Sequence, residues 1–243
     1  MIEKHKSTNS VTKSSTKKAI RDVKIKEPKR LNKRQYDFLN LSLDPKTQMM
    51  FVSGPAGTSK TYLSIYSALK LLNSKHAEKI LYIRSAVESA DSKLGYLPGE
   101  EAMKLEPYLR PLRDKLMEFL TKTEVSCLYQ KEAIAAEHVG FARGQDWKNM
   151  VIVIDEAQNL TKKELLTLTT RVGENSTVFI IGDPMQSDIK DKSGLKEFLN
   201  TFKGSSKAES HGIYTFEFGH EDIVRSPLVK FIIETIEESD MEI

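Results

Sequence analysis

The chain has 243 residues, 39% of them apolar and 29% charged, a balance that supports a packed core and leaves a net charge of +3. No apolar run is long enough to cross a bilayer, and the opening MIEKHKSTNSVTKSSTKKAI lacks the apolar stretch of a secretory signal, so no membrane partner is expected. One cysteine, Cys127, excludes an internal disulfide and a cysteine-based zinc cluster, and the five histidines show no ligand spacing; a reducing cytoplasm is the expected compartment.

The charge is placed unevenly. Residues 1–34 carry twelve Lys and Arg against three acids, a local +9, and the chain total of +3 then leaves −6 on the remainder. Residues 1–30 are rich in Ser, Thr and Lys and nearly free of aromatics, which predicts a disordered basic arm. Such an arm either touches phosphates or is a solvated tail; composition leaves both open.

From residue 31 the pattern changes. LNKRQYDFLNLSL (31–43) predicts a helix of imperfect period, and QMMFVSG (48–54) a short buried strand running into a glycine-rich loop. Tyr62, Leu63, Ile65, Tyr66, Leu69 and Leu72 give the next helix a broad apolar stripe. KILYIR (79–84) predicts a second strand, and residues 100–120 a helix interrupted at Pro107 and Pro111. MVIVIDEA (150–157) and STVFIIGDP (176–184) are apolar runs of the kind found in strands buried on both faces. Helices are expected at 161–171, 194–202 and 227–238, with a fraying acidic tail at 239–243. Strands alternating with helices predict an α/β fold with a parallel sheet, and its functional loops belong at the carboxyl ends of the strands.

The polar constellations do follow the strands. GPAGTSKT (54–61) comes close to the phosphate-loop pattern of Gly, four residues, then Gly-Lys-Ser/Thr. Gly54, Pro55, Ala56, Gly57, Thr58 and Ser59 would offer backbone N–H groups, Lys60 would reach the β- and γ-phosphates, and the Thr61 hydroxyl would ligate Mg²⁺. Ser59 stands where the second glycine is usual. With a negative φ serine fits there freely; with a positive φ it costs about 1 kcal/mol. Asp155 and Glu156 end the strongest strand, where Asp155 would hold Mg²⁺ and Glu156 would orient and deprotonate the attacking water. Acids at a helix N-terminus would explain one of the two, but not their conjunction with the loop. Gln186, in IIGDPMQ, would contact the γ-phosphate or the water. Gln35 has an amide able to pair with adenine, though on its spacing alone an ordinary surface glutamine is the better reading.

The set LNKRQ, GPAGTSKT, RSAVES, GYLPG, EPYLRPL, DEAQN, GENSTVFIIGDPMQSDI, SGL and VRSPLV resembles the PhoH family, in the family's order, over residues 31–238. The resemblance implies a RecA-like P-loop lobe similar to the first lobe of superfamily 1 helicases. It also implies ATP with Mg²⁺, hydrolysis, a link to RNA or single-stranded DNA, and ring assembly as a homo-oligomer such as a hexamer, with Gln35 near adenine. Ser59 departs from the family, as do Ser85 in place of proline and Glu106 in place of aspartate; Lys60, Thr61, Asp155, Glu156, Gln186 and Arg225 are kept. The nucleic-acid contacts expected are the basic arm, Arg84, Arg143 and the arginines of EPYLRPLR, each of which taken singly also reads as a surface salt-bridging residue. Two rival functions stay open, a slow nucleotide switch and an ATPase that remodels protein. Because helicases of superfamily 1 complete their site with an arginine from a second lobe, Arg225 is expected to serve a neighbouring subunit in trans, with Arg171 as the alternative and a helix-flanking salt bridge as the plain reading of Arg225.

Overall fold

The computed structural model describes residues 23–85, 101–140 and 146–238, with backbone alone at 101–109, 233–234 and 236–238. The expected arm up to residue 22, Arg143 and the acidic tail lie outside the described residues. In chain order the elements are α1 (Lys33–Ser42), β1 (Met49–Ser53), α2 (Lys60–Asn73), β2 (Lys79–Arg84), α3 (Glu101–Phe119), α4 (Lys122–Gln130), β3 (Ile134–His138), β4 (Met150–Asp155), α5 (Lys162–Thr169), β5 (Thr177–Gly182), α6 (Leu195–Phe202), α7 (Ser206–Ser210), β6 (Ile213–Glu217) and α8 (Pro227–Glu238).

The six strands form one sheet in the order β3-β2-β4-β5-β1-β6, and every pairing is parallel. The central strands are uniformly apolar because helices cover both faces. Alternation along each strand divides the core in two. Met50, Val52, Tyr82, Val151, Val153 and Phe179 face α1 to α4, whereas Phe51, Leu81, Ile83, Ile152, Ile154 and Ile180 face α5 and α6. Parallel pairing brings the carboxyl ends of β1, β2, β4 and β5 to one edge, where Gly54, Arg84, Asp155 and Gly182 follow or end their strands. Among the described residues no helix is long and apolar enough to cross a membrane.

Several local expectations need correction. α3 is not broken at Pro107 or Pro111. A proline inside a helix costs about 3 kcal/mol, and here packing offsets it: Leu112, Leu116 and Phe119 are buried, and the Phe119 ring lies 4.5 Å from Tyr62 and 5.4 Å from Tyr66. α4, β3 and β6 had no counterpart in the expected elements. β3 is rich in alanine and β6 is an edge strand with a single buried residue, Phe216, so neither has the dense apolar run that marks a central strand.

Packing also begins before Leu31. Val23 and Ile25 lie against the core, and the Lys26 N–H donates to Phe119 O at 3.0 Å. The Tyr66 hydroxyl donates to the Glu27 carboxylate, which holds that carboxyl below its usual range; burial, with Glu27 beside it, pushes the phenol well above its own. Residues 23–30 therefore form a strap over α2 and α3. Deleting residues 1–28 is expected to cost about 2 kcal/mol, the worth of two partly buried aliphatic side chains. At roughly 2–4 °C per kcal/mol for a chain of this size, a melting curve would show it, and an unchanged midpoint would mean that the strap adds nothing to stability.

Candidate functional site

β1 delivers the chain to the phosphate-loop segment with all five of its residues buried. Gly54 has φ +147°, and a Cβ there would meet Phe218 Cβ at 2.7 Å; Gly57 has φ +86°, and a Cβ there would meet Arg225 Cγ at 2.8 Å. Both positions therefore require glycine. Pro55 and Ala56 continue the turn. Thr58 is buried and closes it, its hydroxyl donating to Pro55 O at 2.9 Å. Lys60 opens α2, so the loop runs directly into a helix N-terminus, where backbone N–H groups lack intrahelical partners and suit an anion.

Ser59 settles the alternative left by the sequence. It sits at φ 72° and ψ 21°, in the left-handed region, and its side chain makes no capping hydrogen bond. The strained branch applies, and nothing offsets it locally. Ser59→Gly is expected to raise stability by about 1 kcal/mol, a rise of roughly 2–4 °C in Tm. A fall in Tm would show that the hydroxyl makes a compensating contact.

The Lys60 ammonium folds back on its own loop, donating to Gly54 O at 2.5 Å and Pro55 O at 2.8 Å. Burial pushes it below the usual lysine range, against the pull of Asp183, Glu156 and Asp155. Thr61 Oγ1 donates to Asp155 Oδ1 at 3.0 Å, across 94 residues of sequence. The second carboxylate oxygen of Asp155 accepts from the Tyr82 hydroxyl at 2.6 Å. Burial raises the Asp155 carboxyl, the hydrogen bond from Tyr82 lowers it, and the nearby Glu156 raises it again. Burial and Asp155 together push the Tyr82 phenol far above its ordinary value. Tyr82 is a contact the sequence reading missed, since a tyrosine inside an apolar strand looks like core.

Glu156 has φ 55° and ψ 39°, also left-handed. Its Oε1 accepts from Arg84 Nη2 at 3.3 Å and its Oε2 from Gln158 Nε2 at 2.8 Å. Arg84, expected on nucleic acid, is thus paired with a carboxylate of the site. Gln158 is buried and its Oε1 accepts from the Asp183 N–H at 3.1 Å, which ties the end of β4 to the turn after β5. That turn carries Gln186, whose N–H donates to Asp183 O at 3.0 Å and whose side chain is exposed.

Gln35 is 1% exposed. Its Oε1 accepts from the Asn32 N–H at 3.1 Å in a capping box, and its Nε2 reaches Thr58 O at 3.4 Å. The amide is spent on α1 and on the loop, so the surface reading was wrong, and adenine pairing would require it to exchange these partners. Arg225 is placed against the loop of its own chain. The Val224 N–H donates to Gly57 O at 2.9 Å, and the Arg225 stem covers Gly57.

Gln35, Ser59, Lys60, Thr61, Asp155, Glu156, Gln186 and Arg225 are among the residues that line one cavity of about 470 Å³. Among the described residues no group of three or more His, Cys, Asp and Glu side chains is set to hold a metal unaided. A hydroxyl and a carboxylate 3.0 Å apart do fit Mg²⁺, which takes one or two protein oxygens and completes its shell with phosphates and water.

Comparison with known proteins bears on the same elements. A family model described as PhoH-like protein matches residues 27–237. The PhoH-like protein of Bacillus subtilis is 34% identical over 232 residues, 95% of this chain and 68% of that protein. The PhoH-like protein of Synechocystis is 34% identical over 218 residues, 89% of this chain and 63% of that one. Protein PhoH of Escherichia coli is 37% identical over 185 residues, 74% of this chain and 51% of that one. The chain therefore spans about half to two-thirds of the length of these relatives. Among solved structures, the large terminase of a thermophilic bacteriophage shares the fold at a TM-score of 0.53 and 11% identity, over 86% of this chain and 50% of that one. The fold is a RecA-like P-loop domain.

Proposed function

The chain belongs to the PhoH family, and from that premise we propose that it is a Mg²⁺-dependent ATP hydrolase whose turnover is coupled to RNA or single-stranded DNA. The observation that carries the reading is the shared cavity: a loop lysine and hydroxyl meet the strand-end carboxylates Asp155 and Glu156, with Thr61 Oγ1 3.0 Å from Asp155 Oδ1. That conjunction is what phosphoryl transfer needs, since the protein's task is positioning and charge stabilisation.

In this reading the loop N–H groups and Lys60 bind the triphosphate. Lys60 leaves the carbonyls of Gly54 and Pro55 for phosphate oxygens, a better partner for an ammonium. Thr61 and Asp155 would hold Mg²⁺, which when bound neutralises charge on the phosphates. Tyr82 fixes the Asp155 carboxylate, leaving the oxygen nearer Thr61 for that task. Glu156 accepts the proton of the attacking water. Gln186 and Arg225 face the same cavity and stabilise the γ-phosphoryl group as it transfers.

The coupling to nucleic acid is supported by the family and by the basic excess of residues 1–34. Two rivals are distinguished by one assay, ATP turnover with and without Mg²⁺ and with added single-stranded RNA or DNA. Mg²⁺-dependent turnover stimulated by polynucleotide supports the reading. Tight binding with negligible turnover would make the protein a nucleotide switch, and brisk turnover indifferent to polynucleotide would point to protein remodelling.

A further inference from the structure

Glu156 is proposed to take a proton from water, yet both of its carboxylate oxygens already have partners, Arg84 at 3.3 Å and Gln158 at 2.8 Å. Its main chain is held by the next residue of the same strand end. Ser85 donates its hydroxyl to Glu156 O, and the Ser85 N–H donates to Asp155 O at 3.2 Å. Arg84, the last residue of β2, and Ser85, which follows it, thus grip the carboxylate and the carbonyl of the residue that follows β4. Each oxygen keeps a second lone pair, but the guanidinium and the amide fix the carboxylate's direction, so a water must meet it where Arg84 and Gln158 hold it.

We propose that Arg84 is a latch that holds Glu156 in a resting position, and that a phosphodiester group of a single-stranded nucleic acid opens it by taking the guanidinium. The inference rests on the reading of the chain as a nucleic-acid-coupled ATPase. Three observations carry it. Glu156 lines the nucleotide cavity and Arg84 does not, so the latch can be reached from outside the cavity. The two side chains are 34% and 39% exposed and share a single 3.3 Å contact, whereas a phosphate can accept two parallel N–H bonds from a guanidinium. Gln158, by contrast, is 2% exposed and locked to the Asp183 N–H, so it stays in place when Arg84 leaves and keeps the carboxylate beside the cavity. Arg84 is the movable partner of the two.

An exposed pair of this kind holds at most about a fivefold population bias, equivalent to about 1 kcal/mol, which sets the size of the effect. The test uses the full chain, the variants Arg84→Ala and Arg84→Lys, and poly(U) and oligo(dT) as probes. The wild-type protein is expected to be stimulated several-fold. Arg84→Ala is expected to show a basal kcat raised about fivefold, with the KM for ATP within about twofold and no further response to either probe. Arg84→Lys keeps the charge but loses the fork, so it should fall between the two. A residue that merely supports the fold would lower kcat, and its loss would lower the melting temperature. If Arg84→Ala melts early, Arg84→Lys carries the comparison. A basal rate at or below wild type in the variants overturns the latch, as does an Arg84→Ala protein that poly(U) stimulates in full. Failure of the underlying reading looks different. A wild-type chain that hydrolyses ATP at one rate whatever polynucleotide is added removes the releasing ligand, and one that does not hydrolyse ATP at all removes the enzyme.

Discussion

Glu156→Gln is expected to bind Mg²⁺-ATP about as well as the wild-type chain and to hydrolyse it about 10²–10⁴-fold more slowly, the usual worth of a positioned general base. The amide has nearly the shape of the carboxylate but cannot accept a proton from water. Binding should survive because the phosphate contacts come from elsewhere, from the loop N–H groups, from Lys60 and from the Thr61–Asp155 pair. Stability should change by no more than about 0.5 kcal/mol, since the side chain is 39% exposed and replaces one weak ion pair with another polar contact. A fluorescent nucleotide titration beside a single-turnover assay separates the two effects. Turnover within tenfold of wild type would remove Glu156 from this role and shift attention to Asp183, another carboxylate of the cavity.

The parts of this site that were legible in the sequence are those written as contiguous apolar runs with polar punctuation. MVIVIDEA and STVFIIGDP identify buried strands because their apolar runs are short, rich in β-branched side chains and closed by polar or turn residues. Their terminal acids and the glycine-rich loop then fall at one sheet edge by topology alone. What stayed hidden depends on register. The pairing of β2 with β4 sets Tyr82 opposite Val153 and Arg84 opposite Asp155. From there the Tyr82 hydroxyl reaches diagonally to Asp155 and the Arg84 guanidinium to Glu156. No linear pattern specifies which residues of two strands stand side by side. Gln158 was read as part of a family motif, and Gln35 as a surface side chain or an adenine contact. Both are buried amides that join one segment of the site to another, and only the fold reveals two ends engaged at once. Ser59 was a matter of one dihedral angle, which composition cannot supply.

Arg225→Ala is expected to lower turnover by about 10³-fold, the lower end of what a stabilising arginine contributes to phosphoryl transfer, while leaving nucleotide binding and Tm nearly unchanged. The sequence alone placed this arginine in a neighbouring subunit. The fold gives it a position in its own chain, because the segment that carries it is fastened to the loop along its length. The Phe218 N–H donates to Ser53 O and the Val224 N–H to Gly57 O, each at 2.9 Å. Between them the buried Asp222 accepts from Asn32 Nδ2 and from the Gly219 N–H, both at 2.8 Å, so hydrogen bonds tie the start of α1, the loop and the arginine segment together. Subunit mixing decides between the two placements. Lys60→Ala retains Arg225, and Arg225→Ala retains Lys60. If the arginine acts in cis, every site in a mixture lacks one of the two, and activity stays as low as in either variant alone, whatever the oligomer. If it acts in trans, a fraction of the sites regains both, and activity returns on exchange. Recovery beyond the sum of the separate variants would therefore overturn the cis assignment. It would mean that the fastening of this segment serves the loop's shape rather than the reaction.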